Sequence, residues 1–321
     1  MTPKSRPSFR PGLGPGALAS ALAVALAGCQ MAPAPPETRP AARPAEAVQP
    51  ELSPDSQALA RHYARVQADL LSRGLLRTDG GETDVPFTRR ALVENFVRIA
   101  LFDEYVSRGG HLVARETESR LRRWEQPVRF GITFGATIPA AQRTRDRAEI
   151  AAYVRRLARV TGMPMWVTSP EQANFQVFIV NEDERRRLGG DLERLIPGID
   201  VAAQSTIAVM PRSTFCLVLA FSKGESSTYS SAVAVIRGEH PDRLRQSCVH
   251  EELSQGLGLA NDNPSVRPSI FNDDEEFALL TPHDELLLKM LYDRRLRPGM
   301  TPAEARPIVE QMAAELMGGD A

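Results

Sequence analysis

The sequence lacks several features that would assign it directly to a class of protein. Its acidic and basic side chains nearly cancel, to a formal net charge of -1, so no electrostatic argument favours nucleic acid or an anionic membrane surface as a partner. The 321 residues contain no glycine-rich phosphate loop, no Gly-x-Ser-x-Gly elbow and no internal repeat. Nucleotide-binding, α/β-hydrolase and solenoid classes therefore have no support.

Apolar runs long enough to span a bilayer are also missing near the N-terminus. The run Leu18–Leu26 is too short for a permanent transmembrane helix, and it follows a basic segment that contains Lys4, Arg6 and Arg10. A basic segment followed by a short apolar run is the layout of a secretory signal peptide. The sequence therefore predicts an exported protein.

The signal-like segment ends in Leu26-Ala27-Gly28-Cys29, which resembles the bacterial lipobox. This resemblance implies removal of residues 1–28 and lipidation of Cys29. Gln30 is not an aspartate-type inner-membrane retention signal, so we expect a lipid anchor in the bacterial cell envelope, facing the periplasm, with the outer membrane favoured. A plain signal peptide or N-terminal anchor helix with a chance cysteine is the alternative.

Cysteine is scarce, with three residues in the chain. With Cys29 assigned to lipid, Cys216 and Cys248 remain, an even number in an oxidising compartment. A bridge between them would close a loop of about 33 residues and contribute roughly 3 to 4 kcal/mol. Two separate buried thiols are the alternative.

Four segments are expected along the chain. Residues 1–28 form the signal peptide, and residues 29–52 form a tether rich in alanine and proline that has too few large apolar residues to fold. Residues 53–109 are predicted to form a pair of helices, and residues 110–321 the main domain. Helices that alternate irregularly with strands in that domain predict an α+β fold with a mixed sheet and helices packed on it.

Hydrophobic periodicity gives the individual elements. Helices are predicted at 54–73, at 88–105 with a stop at Gly109-Gly110, at 112–123, at 146–160, at 183–195, and after the capping patterns that start at Thr281 and Thr301. Strands are predicted at 128–134, 175–180, 207–210, 214–221 and 231–236.

The stretch Cys248–Asp262 concentrates the polar side chains that could carry chemistry. On a helix, Glu251 and Gln255 lie one turn apart on one face with Glu252 beside them, and Gly258 can end the helix with a sharp turn. Asn261 and Asp262 follow that turn. An amphipathic core helix would explain the leucines of the stretch, but it does not explain this group of polar side chains.

This stretch resembles the zinc-binding segment of the metzincin metalloproteases, His-Glu-x-x-His-x-x-Gly-x-x-His. Glu251, Gln255 and Asn261 stand at the three histidine positions, Glu252 at the general-base position and Gly258 at the glycine position. Pro268–Asn272 stands where those enzymes have a methionine turn, with Phe271 in place of the methionine. The resemblance implies a zincin-like fold.

The chain also resembles an uncharacterised family of bacterial secreted proteins and lipoproteins with the motif Glu-Glu-x-x-Gln-x-x-Gly-x-x-Asn. This likeness runs from about Phe87 to Met300. A second register, His250-Glu251-x-x-Ser254, lacks a second ligand and places Leu257 at the glycine position, so His250 is better interpreted as a helix-face histidine bonded to a neighbour.

One carboxylate and two neutral amides make a weak zinc site, because zinc prefers imidazole and thiolate ligands. We therefore expect no certain cofactor. A divalent metal held by Glu251, Gln255, Asn261 and Asp262 is the open alternative, whereas the acidic run Asn272–Glu276 is expected to be a solvated loop.

Three functions follow from these patterns. The first is a non-catalytic or cryptic protease homologue of the envelope that uses the cleft to recognise a peptide or a glycan. The second is an active hydrolase with Glu252 as general base and a non-histidine metal or water site. The third is a structural lipoprotein whose leading helices bind an envelope protein.

Overall fold

The computed structural model describes residues 50–108, 111–272 and 274–318. All of these residues belong to one compact unit, Val48–Ala321. Several predicted features lie outside the described residues. They are the predicted signal peptide, the predicted lipidation site Cys29, most of the tether, the Gly109-Gly110 pair and Asp273. No described helix is both long and apolar enough to cross a membrane.

Helices make up most of the regular structure in the described part of the chain. They are α1 Pro54–Ser72, α2 Arg89–Ala100, α3 Ala140–Thr161, α4 Glu182–Arg185, α5 Gly189–Leu195, α6 Val201–Ala208, α7 Asp242–Gln255, α8 Pro282–Leu291 and α9 Pro302–Leu316.

The described strands form two sheets. They are β1 Phe102–Arg108, β2 His111–Glu118, β3 Val128–Phe134, β4 Met165–Thr168, β5 Phe175–Val180, β6 Cys216–Ser222 and β7 Tyr229–Arg237. β1 and β2 pair as an antiparallel hairpin, and the other five strands form one sheet in the order β4-β3-β5-β7-β6. The predicted α+β fold with a mixed sheet is confirmed.

The five-stranded sheet is parallel except for β6, which runs antiparallel to β7 at one edge. The central strand β5 is buried along its whole length, as expected for the continuous apolar run Phe175–Val180. Phe175, Val177 and Ile179 contribute to the larger hydrophobic core, whereas Phe178 and Val180 contribute to a second core. The sheet therefore has helices packed on both faces.

The helices and strands near the N-terminus differ partly from the prediction. α1 starts at the Ser53 cap with Pro54 at its first position, as expected. The second helix, however, ends at Ala100 rather than near Tyr105, and Leu112–Arg123 is not helical. Phe102–Arg108 and His111–Glu118 are the two strands of the hairpin.

A further prediction is wrong between β5 and β6. Ile207–Met210 was expected to be a strand, but Val201–Ala208 forms α6 because the Asp200 side chain caps the helix by accepting a hydrogen bond from Ala203 N at 2.7 Å. The four-residue edge strand β4 was not predicted.

α7 follows β7 directly and packs against both β6 and β7. The predicted disulfide is present: Cys216 at the start of β6 is bonded to Cys248 in α7, with the two Cα atoms 5.8 Å apart. The bridge fixes the edge strand to the helix that carries the polar motif.

Candidate functional site

A cleft of about 750 Å³ lies between the edge strand β6 and α7. Glu251, Glu252 and Gln255 of α7 line it, together with Asp262 beyond the helix. The opposite wall is β6, from Cys216 to Phe221, and Asp103 of β1 and Asp200 before α6 also contribute. Four of the predicted catalytic or metal-binding residues thus share one cavity.

The turn after α7 depends on glycine. Gly258 has a φ of 126°, and a Cβ added there would lie 2.2 Å from the carbonyl oxygen of Arg122. A side chain is therefore excluded by both backbone conformation and contact. Trp124 Nε1 donates to Gly256 O at 2.8 Å and the Tyr292 hydroxyl donates to Leu257 O at 2.9 Å, so two carbonyls at the end of the helix have side-chain donors.

Beyond the turn, Asp262 comes back to the cleft and meets Gln255. The amide Nε2 of Gln255 donates to both carboxylate oxygens of Asp262, at 3.0 Å and 2.9 Å. Gln255 is buried, with 8% of its surface exposed. The nitrogen of the Gln255 amide therefore points towards Asp262. Gln255 acts here as a hydrogen-bond donor to this carboxylate.

Asn261 does not join the other predicted ligands. Its backbone N–H donates to Ile99 O at 3.1 Å and its side-chain Nδ2 donates to Arg98 O at 2.9 Å, which ties it to the C-terminal end of α2. Asn261 is not among the described residues that line the cleft. Of the three positions that correspond to metzincin histidines, Glu251 and Gln255 line the cleft and Asn261 does not, which does not fit a zinc ion held by all three.

The structure brings Cys216 close to two carboxylates, a grouping that sequence reasoning missed. Ligand-type atoms of Cys216, Glu251 and Glu252 all lie within 4.8 Å of one another. The sulfur of Cys216 is bonded to Cys248, so it is not a thiolate and does not act as a zinc ligand. The helical spacing of Cys248, Glu251 and Glu252 was the signal in the sequence for this cluster.

The segment at the predicted methionine-turn position contributes Ile270 and Phe271 to the larger hydrophobic core. Phe271 is fully buried, and its backbone N–H donates to Ser269 Oγ at 3.0 Å. The buried carboxylate of Asp284 accepts from Ser269 Oγ at 2.6 Å and from Ile270 N at 3.1 Å. Asp284 also closes the capping box of α8 with Thr281, so one carboxylate joins this turn to the next helix.

His250 lies on the core side of α7. Its Nδ1 accepts from Leu280 N at 3.0 Å, and its ring stacks on Tyr153 with centroids 3.8 Å apart. Burial lowers the pKa of His250 to about 3, so the ring is neutral near pH 7. Ser254 also faces Tyr153, at 2.5 Å between hydroxyl oxygens. His250 and Ser254 of the second register, His250-Glu251-x-x-Ser254, therefore make contacts in the core. His250 is a helix-face histidine bonded to a neighbour.

The sequence matches the model of a known protein family. The model of a family described as "Protein of unknown function (DUF2927)" matches residues 89–311, which is more than half of the chain. The chain belongs to the DUF2927 family. The match covers the DUF2927 domain from α2 into α9, including the cleft and its motif helix. No curated protein matches the sequence.

The contact at Gly258 gives a stability prediction for the DUF2927 domain. Gly258→Ala should lower the free energy of unfolding by about 3 kcal/mol or more, because the new methyl group meets the Arg122 carbonyl and φ is positive. Gly162→Ala is the matched control, since its φ is 69° but an added Cβ meets no described atom within 4 Å. Gly162→Ala should lower the free energy of unfolding by about 1 to 2 kcal/mol. Urea unfolding followed by circular dichroism measures both, and equal losses would contradict the steric explanation.

The buried histidine gives a pH prediction. Because the pKa of His250 is about 3 in the folded state and roughly 6.5 when unfolded, the unfolded chain binds the extra proton between these values. Stability should therefore fall as pH decreases below about 6.5, by up to about 1.4 kcal/mol per pH unit from this group. His250→Asn keeps an acceptor for Leu280 N and should show a correspondingly smaller slope in urea unfolding between pH 5 and 7. Identical slopes for the two proteins would refute the assignment.

Proposed function

We propose that the DUF2927 domain is a peptide-recognition module of the cell envelope, with a zincin-like architecture whose zinc chemistry has been lost. The cleft binds an extended segment of another polypeptide between β6 and α7. The relation to metzincins rests on the motif spacing at Glu251–Asn261 and on the position of that helix directly after a strand of a mixed sheet.

The observation that carries this proposal is the edge position of β6 beside the cleft. β6 pairs with β7 on one side and has no other backbone partner strand within the described ranges. The cleft opens along residues Cys216–Phe221 of this strand. An extended peptide can add to such an edge through main-chain hydrogen bonds, and side-chain pockets then select its sequence. A strand edge does not offer the same ladder to a glycan, so a peptide is the better-supported ligand.

The donor set around the cleft supports a non-catalytic role. Asn261 is bonded to α2, Gln255 donates to Asp262, and Cys216 is held in a disulfide. A catalytic zinc site needs three protein ligands around one ion and an open position for water. Glu251 and Gln255 line the cleft, but Asn261 does not, so Asn261 does not support a three-ligand site with them.

One observation favours the active-hydrolase alternative. Glu252 keeps the general-base position, lines the cleft and is only 4% exposed, and a buried carboxylate beside a bound peptide can accept a proton from water. Glu252→Gln separates the two functions. A recognition module keeps peptide binding in this variant and shows no cleavage in either form by mass spectrometry, whereas cleavage that the variant loses would establish the hydrolase.

Strand addition gives a testable prediction about the peptide backbone. Peptides that bind are first selected from an array, and the tightest is then N-methylated one residue at a time. Methylation of an N–H that faces β6 should weaken binding about tenfold or more, since it removes a main-chain hydrogen bond and adds a clash. Methylation of the adjacent N–H, which points away from the strand, is the matched control and should change affinity little.

Hydrogen exchange locates the same peptide on the protein. Binding should slow amide exchange in residues 216–222 of β6, and it should leave residues 165–168 of β4, at the opposite edge of the sheet, unchanged. Equal effects of methylation at adjacent positions, no added protection in β6, or binding of glycan fragments with no peptide bound would each contradict the proposal.

We also propose that Cys29 carries the lipid that holds this domain at the envelope, favouring the outer membrane. Support comes from the Leu26-Ala27-Gly28-Cys29 sequence. Cys29→Ser should abolish incorporation of labelled palmitate and move the protein from the membrane to the soluble fraction, because acyl chains supply the membrane affinity. A variant that stays in the membrane fraction with labelling unchanged would refute lipidation at this position.

A further inference from the structure

A second cavity, of about 820 Å³, lies apart from the cleft between α1, α4 and the segment 208–212. We name it the α1 pocket. α1 contributes one face of the helix, from Asp55 to Arg65, and α4 begins directly after the central strand β5. In sheets of parallel strands, ligands commonly bind at the carboxyl ends of the strands, and the α1 pocket has this position relative to β5.

Charge distinguishes the α1 pocket, because the chain as a whole has a formal net charge of only -1. Four arginines line it, against two carboxylates: Arg65, Arg185, Arg186 and Arg212, with Asp55 and Glu182. The lining therefore carries an excess of two positive charges, and His62 adds a possible donor. Such an excess favours an anionic ligand.

Both carboxylates of the α1 pocket are already bound to arginine. Glu182 accepts from Arg185 Nη2 and Arg237 Nη1, each at 2.6 Å, and Arg186 lies 2.8 Å from Glu182 and 3.6 Å from Asp55. By contrast, Arg65 and Arg212 form no side-chain hydrogen bond or ion pair with the described residues. Their guanidinium groups are therefore the ones available to an incoming anion.

The floor of the pocket holds a buried arginine with unused hydrogen-bonding capacity. Arg185 is 1% exposed, and its guanidinium donates to Ile207 O and to Glu182. Its Nε is buried without a partner among the described groups. The ion pair with Glu182 fixes the position of Arg185, and its Nε–H remains as a hydrogen-bond donor at the floor of the pocket.

The wall that carries Arg212 is held in place by the core. Arg237 Nη2 donates to Met210 O at 2.9 Å and to Pro211 O at 2.8 Å, and the Tyr63 hydroxyl donates to Arg212 O at 2.9 Å. Three successive carbonyls are thus bonded to buried side chains. A backbone fixed at three points limits the ordering cost when Arg212 binds a ligand.

Apolar side chains line the α1 pocket together with the arginines. Leu59 of α1, Val209 and Met210 all line the pocket, and Val209 is 72% exposed. An anion that is small and fully hydrated would leave this surface uncovered. A ligand with an apolar body next to its charge would bury it.

We propose that the α1 pocket binds a phosphate group carried on an apolar body. Phosphate is favoured over carboxylate because it offers more oxygen acceptors to several guanidinium groups at once. The source is either a soluble phosphate ester or a phospholipid headgroup, which present the same chemistry to Arg65 and Arg212.

Calorimetry with phenyl phosphate tests the proposal on the full chain. Phenyl phosphate should bind about tenfold more tightly than inorganic phosphate, because its ring covers the apolar surface. The double variant Arg65→Ala/Arg212→Ala should weaken binding about tenfold or more. Arg61→Ala is the matched control, an exposed arginine one turn earlier on α1 that does not line the pocket, and it should change affinity less than about twofold.

Co-sedimentation with phosphatidylglycerol vesicles distinguishes the two sources. Vesicle binding that the double variant loses supports a headgroup, and phenyl phosphate binding without vesicle binding supports a soluble ester. No binding of either probe would overturn the proposal. So would equal binding of benzoate, or a loss in Arg61→Ala as large as in the double variant.

Discussion

The close approach of two backbone segments at Gly258 is the constraint on which the site depends. The Arg122 carbonyl occupies the space that a side chain at position 258 would need, so the chain can leave α7 in this direction only with glycine. Trp124 and Tyr292 bind the carbonyls of the two preceding residues. The turn is therefore fixed by the core, and it determines that Asp262 reaches the cleft while Asn261 reaches α2.

One face of α7 packs against the core, and another face lines the cleft. His250 and Ser254 contact Tyr153 inside the domain, whereas Glu251, Glu252 and Gln255 line the cleft. The disulfide between Cys216 and Cys248 holds the cleft face next to the edge strand. Polar side chains are thus placed beside a strand edge that has no partner strand among the described residues, and the proposed peptide-binding function rests on this arrangement.

Local sequence patterns predicted the helices and strands whose sequence signal is strong. They failed where contacts with residues far away in the sequence determine the structure. The continuous apolar run of β5 and the proline and glycine boundaries of α1 were sufficient. The hairpin was missed because Phe102 continues the apolar spacing of α2, although a Gly-Gly pair between two runs is also a hairpin signal. The cleft residues of α7 followed from helical spacing, but the direction of Asn261 did not. The direction of Asn261 is set by the backbone carbonyls of Arg98 and Ile99. Arg98 is 163 residues away from Asn261 in the sequence.

In the proposed function, the motif helix forms one wall of a binding cleft and does not hold a zinc ion through the three metzincin positions. The most direct measurement is a crystal structure of the mature protein soaked with zinc, with anomalous diffraction recorded at the zinc edge. We expect no zinc peak shared by Glu251, Gln255 and Asn261, and the Asn261 amide should still donate to Arg98 O. A zinc ion coordinated by all three side chains would contradict it.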